Sequence, residues 1–416
     1  MFAPNLIADQ SFVLSGRTLA ELSRAEVELA RLEAQLESER SKTALSKNLA
    51  CLEAIATLRI DGEAPLFVDL LRISNRYEIL RLESVSNVGG PLEVDAFLQT
   101  CNGFKAPVHE AFRYLEAIKW IAGTVDESFE ITPDFLLDVH SLCVYGCPAH
   151  ASGVRFRRNR HTNEKNRVPS SLHCPPDPSQ VESLIADVCR FANKNVYSPV
   201  AQAALAHFQF EGIKPFKSAL DRTGRAFCHA IMHRRGFFRK AIVPIALMPA
   251  IDTRAHAIRL LPYDGGLDMD RSSRAYALDS WVRFCARSSH VAAVAMRAYL
   301  DAFISLEQHW RERVGRISKG SALEELLSVL MGSPLLTVSH AARLINRGIS
   351  ATNDALNRLA ELGIVRCDEV VGMRNRVFVA DEAIALLEEM ERRMIRQSPI
   401  AREEALRLIS EGSTER

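Results

Sequence analysis

The sequence predicts a mainly α-helical protein of two or three domains. Its 416 residues exceed the length of one typical domain. Apolar residues recur three and four positions apart through most of the chain, as in Phe112, Leu115 and Ile118, which is the helical period. No alternation of apolar and polar residues longer than a few positions, which would indicate a strand, precedes Val154.

Composition and charge are those of an ordinary soluble globular protein, with 47% hydrophobic and 25% charged residues. The formal net charge of +1 predicts no overall attraction to DNA or to membranes. No apolar run approaches the about 18 residues of a membrane span, so no membrane contact is expected. The nine cysteines are scattered without a C-x-x-C pair, and residues 1–7 lack a signal-peptide pattern. These features predict a cytoplasmic protein with reduced thiols.

Residues 1–62 are expected to form a helical N-terminal cap. The segments 14–39 and 45–58 carry apolar residues mostly three or four apart among polar ones. A cap packed on the main domain is the simpler interpretation. A dimerising arm, and hence a homodimer, is the alternative.

Residues 63–312 are expected to form the main domain, which is again helical. Thr132 followed by Pro133 is a typical helix start. Residues 154–167 begin with alternation and continue with turn-forming asparagines, which indicates a β-hairpin. Helices are predicted over 66–84, 107–121, 132–142, 181–193 and 274–310.

Residues 321–396 resemble a winged-helix domain in the order and length of their elements. Three short helices, over 323–331, 338–345 and 350–362, precede two short strands, 364–366 and 376–379, joined by a turn near Gly372. DNA binding is the obvious function of that shape. However, the third helix carries Asp354 and Glu361 against Arg358 alone, so it offers little phosphate neutralisation. A protein contact or a dimer contact is therefore the other interpretation.

The stretch 201–238 carries the clearest chemical pattern. An apolar helical run leads to a loop containing Lys214, and a second helix opens near Asp221. Arg222 and Arg225, three positions apart, lie on one face of that second helix. A helix N-terminus with two guanidiniums attracts phosphate, because free N–H groups, the helix dipole and the arginine forks act together.

This stretch resembles the motif of the Fic (Fido) family, His-Pro-Phe-x-(Asp/Glu)-Gly-Asn-Gly-Arg-x-x-Arg. The aligned residues, 214–225, read KPFKSALDRTGR with the spacing intact. The core of the motif region is 207–225. Family members transfer AMP from ATP to a protein hydroxyl. The resemblance therefore implies a helical Fic core with a helical cap and a winged-helix tail, ATP and Mg²⁺ as ligands, and a target protein. The target would be held by a small β-hairpin flap, here 154–167; a solvated loop or a weak polyanion contact are other interpretations of this basic segment.

The motif departs from the family at most chemical positions. Lys214 stands at the base His, and Ser218 stands at the carboxylate that holds the metal. The Gly-Asn-Gly phosphate loop is Ala219, Leu220 and Asp221. The resemblance assigns phosphate binding to the positions of Arg222, Gly224 and Arg225, and also to that of Asp221, where a carboxylate repels phosphate or caps the helix.

Lys214 has an ordinary pKa of about 10.4, so a fixed cation or a structural lysine is favoured over a working base. Ser218 offers Mg²⁺ only a neutral ligand. His207 could replace the base, although a lone helical histidine is more often structural. His229 and His233 lack the H-E-x-x-H pattern, so no zinc site is expected.

A regulatory pattern, Ser-x-x-x-Glu-(Gly/Asn), accompanies many members of the family, and its Glu pairs with the second motif arginine. Ser74 and Glu78 match its spacing, with Ile79 in place of Gly/Asn. Either Glu78 or Asp221 is expected to pair with Arg222 or Arg225. The alternative is that Glu78 is an ordinary carboxylate on a helix surface.

Three hypotheses for the function remain. The first is a Fic protein with impaired AMP transfer that acts by binding. The second is an active nucleotidyl or phosphoryl transferase with an altered site. The third is a DNA-binding regulator that uses the winged helix.

Overall fold

The computed structural model describes residues 6–37, 42–63, 65–83, 92–158, 175–239, 241–251, 253, 256, 271–368 and 376–397. Helices dominate these residues, which confirms the predicted class. The helices are α1 (Gly16–Glu37), α2 (Lys42–Ile60), α3 (Phe67–Glu83), α4 (Leu92–Gln99), α5 (Ala106–Thr124), α6 (Pro133–Tyr145), α7 (Ala149–Ser152), α8 (Pro178–Asn193), α9 (Pro199–Ile213), α10 (Leu220–Arg234), α11 (Leu247–Ile251), α12 (Arg271–Val314), α13 (Ala322–Leu330), α14 (Val338–Leu344), α15 (Ile349–Glu361) and α16 (Asp381–Gln397). The strands are β1 (Leu335–Thr337), β2 (Arg366–Asp368) and β3 (Val377–Val379).

Helix α9 is the centre of the main bundle. Its residues from Val200 to Ile213 are all buried, because neighbouring helices cover it on every side. Pro199 starts the helix, where the missing N–H of proline costs nothing. Helix α10 packs back against α9 after a six-residue loop, and this hairpin presents the motif.

Helix α12 contacts α9 and α11 as well as α13 and α16, and α1 lies beside it. Its 44 residues correspond to about 66 Å at 1.5 Å per residue. The carboxylate of Asp279 accepts hydrogen bonds from the backbone N–H and the hydroxyl of Ser15, at the start of α1. Further along, Arg297 contacts Glu28 at 2.8 Å.

Helix α2 is buried from Asn48 to Leu58, although the sequence assigns it to a peripheral cap. It packs on α5, α10 and α11 of the main bundle and on α13 of the C-terminal unit, residues 321–397. Its side chains therefore lie between the two parts of the molecule.

The C-terminal unit holds a three-stranded antiparallel sheet of order β1-β3-β2. Leu335 lies opposite Val379, and Arg366 lies opposite the same residue from the other side. Thr337 and Ser321 cap their helices through side-chain oxygens. The strand β1 was not predicted; the turn near Gly372 lies outside the described residues.

The predicted flap hairpin is described only over 154–158, where the chain forms neither helix nor strand. Among the described residues, no helix combines the length and the apolar character that crossing a membrane requires.

Candidate active site

The loop between α9 and α10 keeps a sharply turned backbone without glycine. Lys214 ends α9 with φ 48° and ψ 62°, and Ala219 precedes α10 with φ 48° and ψ 29°. Left-handed backbone costs an L-residue with a Cβ about 1–2 kcal/mol. Ala219 stands where the family has its first loop glycine, so the loop adopts there a conformation that glycine takes without strain.

Arg157 holds this loop in place, which the sequence did not indicate. The side chain is 5% exposed, and its guanidinium donates to the backbone oxygens of Lys214 at 2.6 Å, Ile213 at 3.2 Å and Pro176 at 2.7 Å. Its backbone N–H donates to the carbonyl of Pro215 at 2.9 Å. This arginine of the predicted basic hairpin is therefore a structural support of the motif loop.

The two loop positions that carry chemistry in the family differ in burial. Lys214 is buried at the position of the family's base histidine. Ser218 is exposed on the loop and offers one neutral oxygen. Neither residue of the pair is a carboxylate.

Arg222 and Arg225 come together as predicted, but their partner is Asp61, just beyond the end of α2. The Asp61 carboxylate lies 2.6 Å from Nη2 of Arg225 and 3.2 Å from Nε of Arg222. Nη2 of Arg225 also donates to the carbonyl of Thr57 at 3.1 Å, and Arg222 reaches Glu110 at 2.6 Å. Burial raises the pKa of Asp61, and the two nearby guanidiniums oppose that rise. We call this group of Asp61, Arg222 and Arg225 the arginine clamp.

A second acidic group lies beside the clamp. Glu211 is buried, and Oε1 lies 3.3 Å from Nε2 of His207. Burial raises the pKa of Glu211 to about 7 and lowers that of His207 to about 3. Desolvation and the neighbouring Glu211 raise the pKa of Asp221, a residue that is partly open to solvent at the start of α10. Two acidic side chains therefore lie near Arg225 in addition to Asp61.

Gly224 was predicted to bind phosphate, and the structure gives it another role. It is buried in α10, and a Cβ there would lie 2.7 Å from the His207 ring and 2.9 Å from Glu211. Gly224 therefore permits the close approach of α9 and α10, and its phosphate-binding role stays a prediction.

Ser74 and Glu78 lie away from the motif, which corrects the expected pairing of Glu78 with an arginine. Glu78 contacts Lys47 at 2.7 Å and His340 at 3.7 Å, because this face of α3 is turned toward the C-terminal unit. Burial would raise the pKa of Glu78, but His340 and Lys47 outweigh it and hold the pKa at about 2. Ser74 is buried beside this contact region on the same helix.

The carboxylate that does face the arginines had a sequence signal. Thr57-x-x-x-Asp61-Gly62 has the spacing of the Ser-x-x-x-Glu-(Gly/Asn) pattern, with Thr for Ser and Asp for Glu. Ser74 and Glu78 match the residue types of the pattern, so they were preferred over Thr57 and Asp61, which have only the same spacing and related side chains.

His229 and His233 serve the core rather than a metal. Nε2 of His229 lies 2.9 Å from the fully buried carboxylate of Glu53, which also accepts hydrogen bonds from Tyr114 and from the backbone N–H of Ala246. Within the described part of the chain, no three His, Cys, Asp or Glu side chains form a metal-binding group.

A mainly apolar cavity of about 60 Å³ lies behind α10, lined by His207, Arg225 and Trp281 among others. Ligand pockets for molecules of drug size measure about 300–1,000 Å³. The cavity is therefore too small for a nucleotide. The motif implies that a nucleotide would lie instead where Asp61 contacts the guanidinium of Arg225.

A sequence model of the Fic/DOC family matches residues 130–232. The protein adenylyltransferase Fic of Nematostella vectensis is 30% identical over 126 residues, which are 29% of this chain and 28% of that protein. The protein adenylyltransferase Fic of Drosophila erecta is 32% identical over 124 residues, 29% of this chain and 23% of that protein. The matched part thus spans about a quarter of the length of these curated relatives.

Two solved structures are also similar. A Fic family protein from Desulfovibrio desulfuricans has a TM-score of 0.49 at 15% identity, covering 91% of this chain and 98% of that one. A Fic domain containing signaling protein from Bacteroides thetaiotaomicron has a TM-score of 0.42 at 12% identity, covering 65% and 98%. The family match covers α6 to α9 and most of α10, together with the motif loop and both arginines. Residues 130–232, about a quarter of the chain, therefore match the Fic/DOC family.

Proposed function

We propose that this Fic-domain protein is impaired in transferring AMP from ATP to a protein hydroxyl and acts by binding a partner protein. The observation that carries the proposal is the arginine clamp. Asp61 contacts both Arg222 and Arg225, and Arg225 is only 4% exposed. A triphosphate that needs these guanidiniums must displace a carboxylate already paired with them.

The residues around the clamp do not fit an ATP–Mg²⁺ complex, and we derive no catalytic step through one. A hydroxyl nucleophile needs a proton acceptor, and Lys214 stands at the position of the family's base histidine. Mg²⁺ prefers carboxylate oxygens, and Ser218 supplies none. The carboxyls of Glu211 and Asp221, which lie beside the clamp, have raised pKa values.

Nucleotide binding tests the clamp directly. We expect isothermal titration calorimetry with ATP and Mg²⁺ to show weak or no binding to the wild type. Asp61→Asn removes the competing charge and should raise the affinity at least about tenfold, the equivalent of one charged hydrogen bond. Glu312→Gln is the matched control, because Glu312 is exposed on α12 and lies outside the clamp. Tight ATP binding by the wild type would contradict the proposal.

Transfer activity tests the missing base. We expect no label on any protein when the wild type or Asp61→Asn is incubated with labelled ATP and Mg²⁺. A variant combining Asp61→Asn, Lys214→His and Ser218→Asp restores the acceptor and the metal carboxylate and should regain measurable transfer. Transfer by Asp61→Asn alone would show that Lys214 suffices and that only the clamp restrains the enzyme.

The C-terminal unit suits a protein contact better than DNA. The exposed residues of α15 include Ile349, which is 57% exposed, and the ion pair between Arg358 and Glu361, so its surface is apolar or neutralised. DNA binding requires unpaired positive charge along the groove. A gel shift that appears at low salt and weakens as salt rises would overturn this assignment.

A further inference from the structure

Helix α2 joins the arginine clamp to the C-terminal unit. At its C-terminal end, Thr57 and Asp61 contact Arg225. Near its N-terminal end, the side chain of Asn48 donates to the carbonyl of Met331 at 2.7 Å, and Asn48 is fully buried. One helix therefore contributes to both contacts.

Helix α3 adds hydrogen bonds to the contact between α2 and the C-terminal unit. Nζ of Lys47 donates to Ser333 at 3.0 Å, to Asn75 at 3.1 Å and to Glu78 at 2.7 Å. Nδ2 of Asn75 donates to the carbonyl of Leu335, the first residue of β1, at 2.6 Å. We call Lys47, Asn48, Asn75 and Glu78 the latch.

The middle of α2 is fixed at Glu53. This buried carboxylate contacts His229 and the N–H of Ala246, both at 2.9 Å. Lys47 precedes Glu53 by six residues and Asp61 follows it by eight, so the two arms are about 9 and about 12 Å long. If α2 moves as a rigid helix, the contacts of Glu53 make it tilt about that residue. Lys47 and Asp61 then move by similar distances in opposite directions.

We propose that the latch holds the arginine clamp closed. Docking of the C-terminal unit on α2 and α3 fixes the tilt of α2, which keeps Asp61 on Arg222 and Arg225. A protein partner that loosens the docking opens the arginines to an anion, and by linkage an anion on the arginines weakens the docking. This regulation rests on the proposed function, in which Asp61 blocks the phosphate position.

The amides after α2 report on its C-terminal end without any nucleotide. The N–H of Gly62 donates to the carbonyl of Arg59, and the N–H of Glu63 donates to that of Leu58. Hydrogen exchange of these two amides should be measured by NMR or mass spectrometry in the full chain. The test variant combines Lys47→Met with Asn75→Ala, and Asn75→Ala alone is a milder version. Asp61→Asn serves as the reference for an open clamp.

Arg313→Met is the matched control. Arg313 also ties the C-terminal unit to the main bundle, through Glu382 and the carbonyl of Leu362, but it does so from α12 rather than α2. We expect about fivefold faster exchange at Gly62 and Glu63 in the latch variants, the equivalent of one lost buried hydrogen bond, and no change in Arg313→Met. Unchanged exchange in the latch variants, or equal acceleration in Arg313→Met, would overturn the proposal.

Calorimetry with ATP separates this inference from the proposed function. If the latch variants bind ATP more tightly, as Asp61→Asn should, both stand. If Asp61→Asn leaves the affinity unchanged, the blocking role of Asp61 fails, while the exchange result still decides whether the latch controls the end of α2. A latch double variant that does not fold is replaced by Asn75→Ala, to which the same outcomes apply.

Discussion

Gly224 shows how one residue fixes the distance between the two motif helices. The missing Cβ leaves room for the His207 ring and the Glu211 carboxyl, which sit at the α9–α10 contact. The resemblance to the Fic motif assigned this glycine to phosphate binding, and the sequence does not show which helix faces pack together. The residue is needed by the fold before any ligand is considered.

Gly224→Ala should lower the free energy of unfolding by about 2 kcal/mol, since the added methyl group forces the buried His207 to move. Gly123→Ala is the control, because Gly123 is helical in α5 and a methyl group added there would meet no atom within 4 Å. It should be neutral or stabilising by up to about 1 kcal/mol. Urea denaturation of both variants measures the difference; equal effects would contradict the packing role.

Glu211 makes the stability of the protein depend on pH in an unusual direction. Burial raises its pKa from 4.5 to about 7, so the folded state binds the proton more tightly than the unfolded state. The stability it contributes is present below about pH 4.5 and is lost as the pH rises to about 7. Glu211→Gln should flatten the fall in unfolding free energy over this range. The same change at the exposed Glu312 should leave the wild-type slope. A wild-type slope in Glu211→Gln would contradict the assignment.

At the scale of elements, the motif loop depends on a segment that the sequence assigned to the surface. Residues 154–158 contact the loop through Arg157, whose guanidinium reaches three backbone oxygens. Two of these carbonyls, of Ile213 and Lys214, lie at the C-terminal end of α9, so they need donors from outside the helix. The loop shape is therefore set by two segments that are distant in sequence.

Arg157→Met should destabilise the protein by about 3 kcal/mol, because it leaves buried carbonyl oxygens without a donor. The neighbouring Arg158 is exposed, so Arg158→Met provides a matched change in charge and size and should cost less than about 0.5 kcal/mol. Thermal and urea denaturation compare the two variants. Similar losses would mean that charge, rather than the hydrogen bonds to the loop, is responsible.

Local patterns predicted the elements better than their contacts. The helix expected over 107–121 is Ala106–Thr124, and the start expected at Thr132 is confirmed by its bond to the N–H of Phe135. The spacing from Lys214 to Arg225 also predicted the loop and the arginine pair. The partner of that pair could not be predicted in this way, because it depends on which of two helices, α2 or α3, ends at the motif.

At the scale of the whole molecule, two helices contact both the main bundle and the C-terminal unit. Helix α2 is buried between the bundle and the unit. Helix α12 carries Trp281 in the bundle and Trp310 at the C-terminal unit. Trp281 donates to the carbonyl of Ala204, and Trp310 donates to Glu382. Helices shared in this way couple the unfolding of the two parts, because each part loses packing contacts on α2 and α12 when the other part unfolds.

We expect the bundle and the C-terminal unit to unfold together. The test uses two reporter proteins, one retaining only Trp281 and one retaining only Trp310, with the other tryptophans changed to Phe. Adding Leu359→Ala, a fully buried position in α15, should cost about 2–5 kcal/mol in both and shift both fluorescence midpoints by the same amount. A shift confined to the Trp310 reporter would show that the C-terminal unit unfolds independently. In that case the contacts of Lys47 with Ser333 and of Asn75 with Leu335 would be lost while the bundle, which contains the arginine clamp, is still folded.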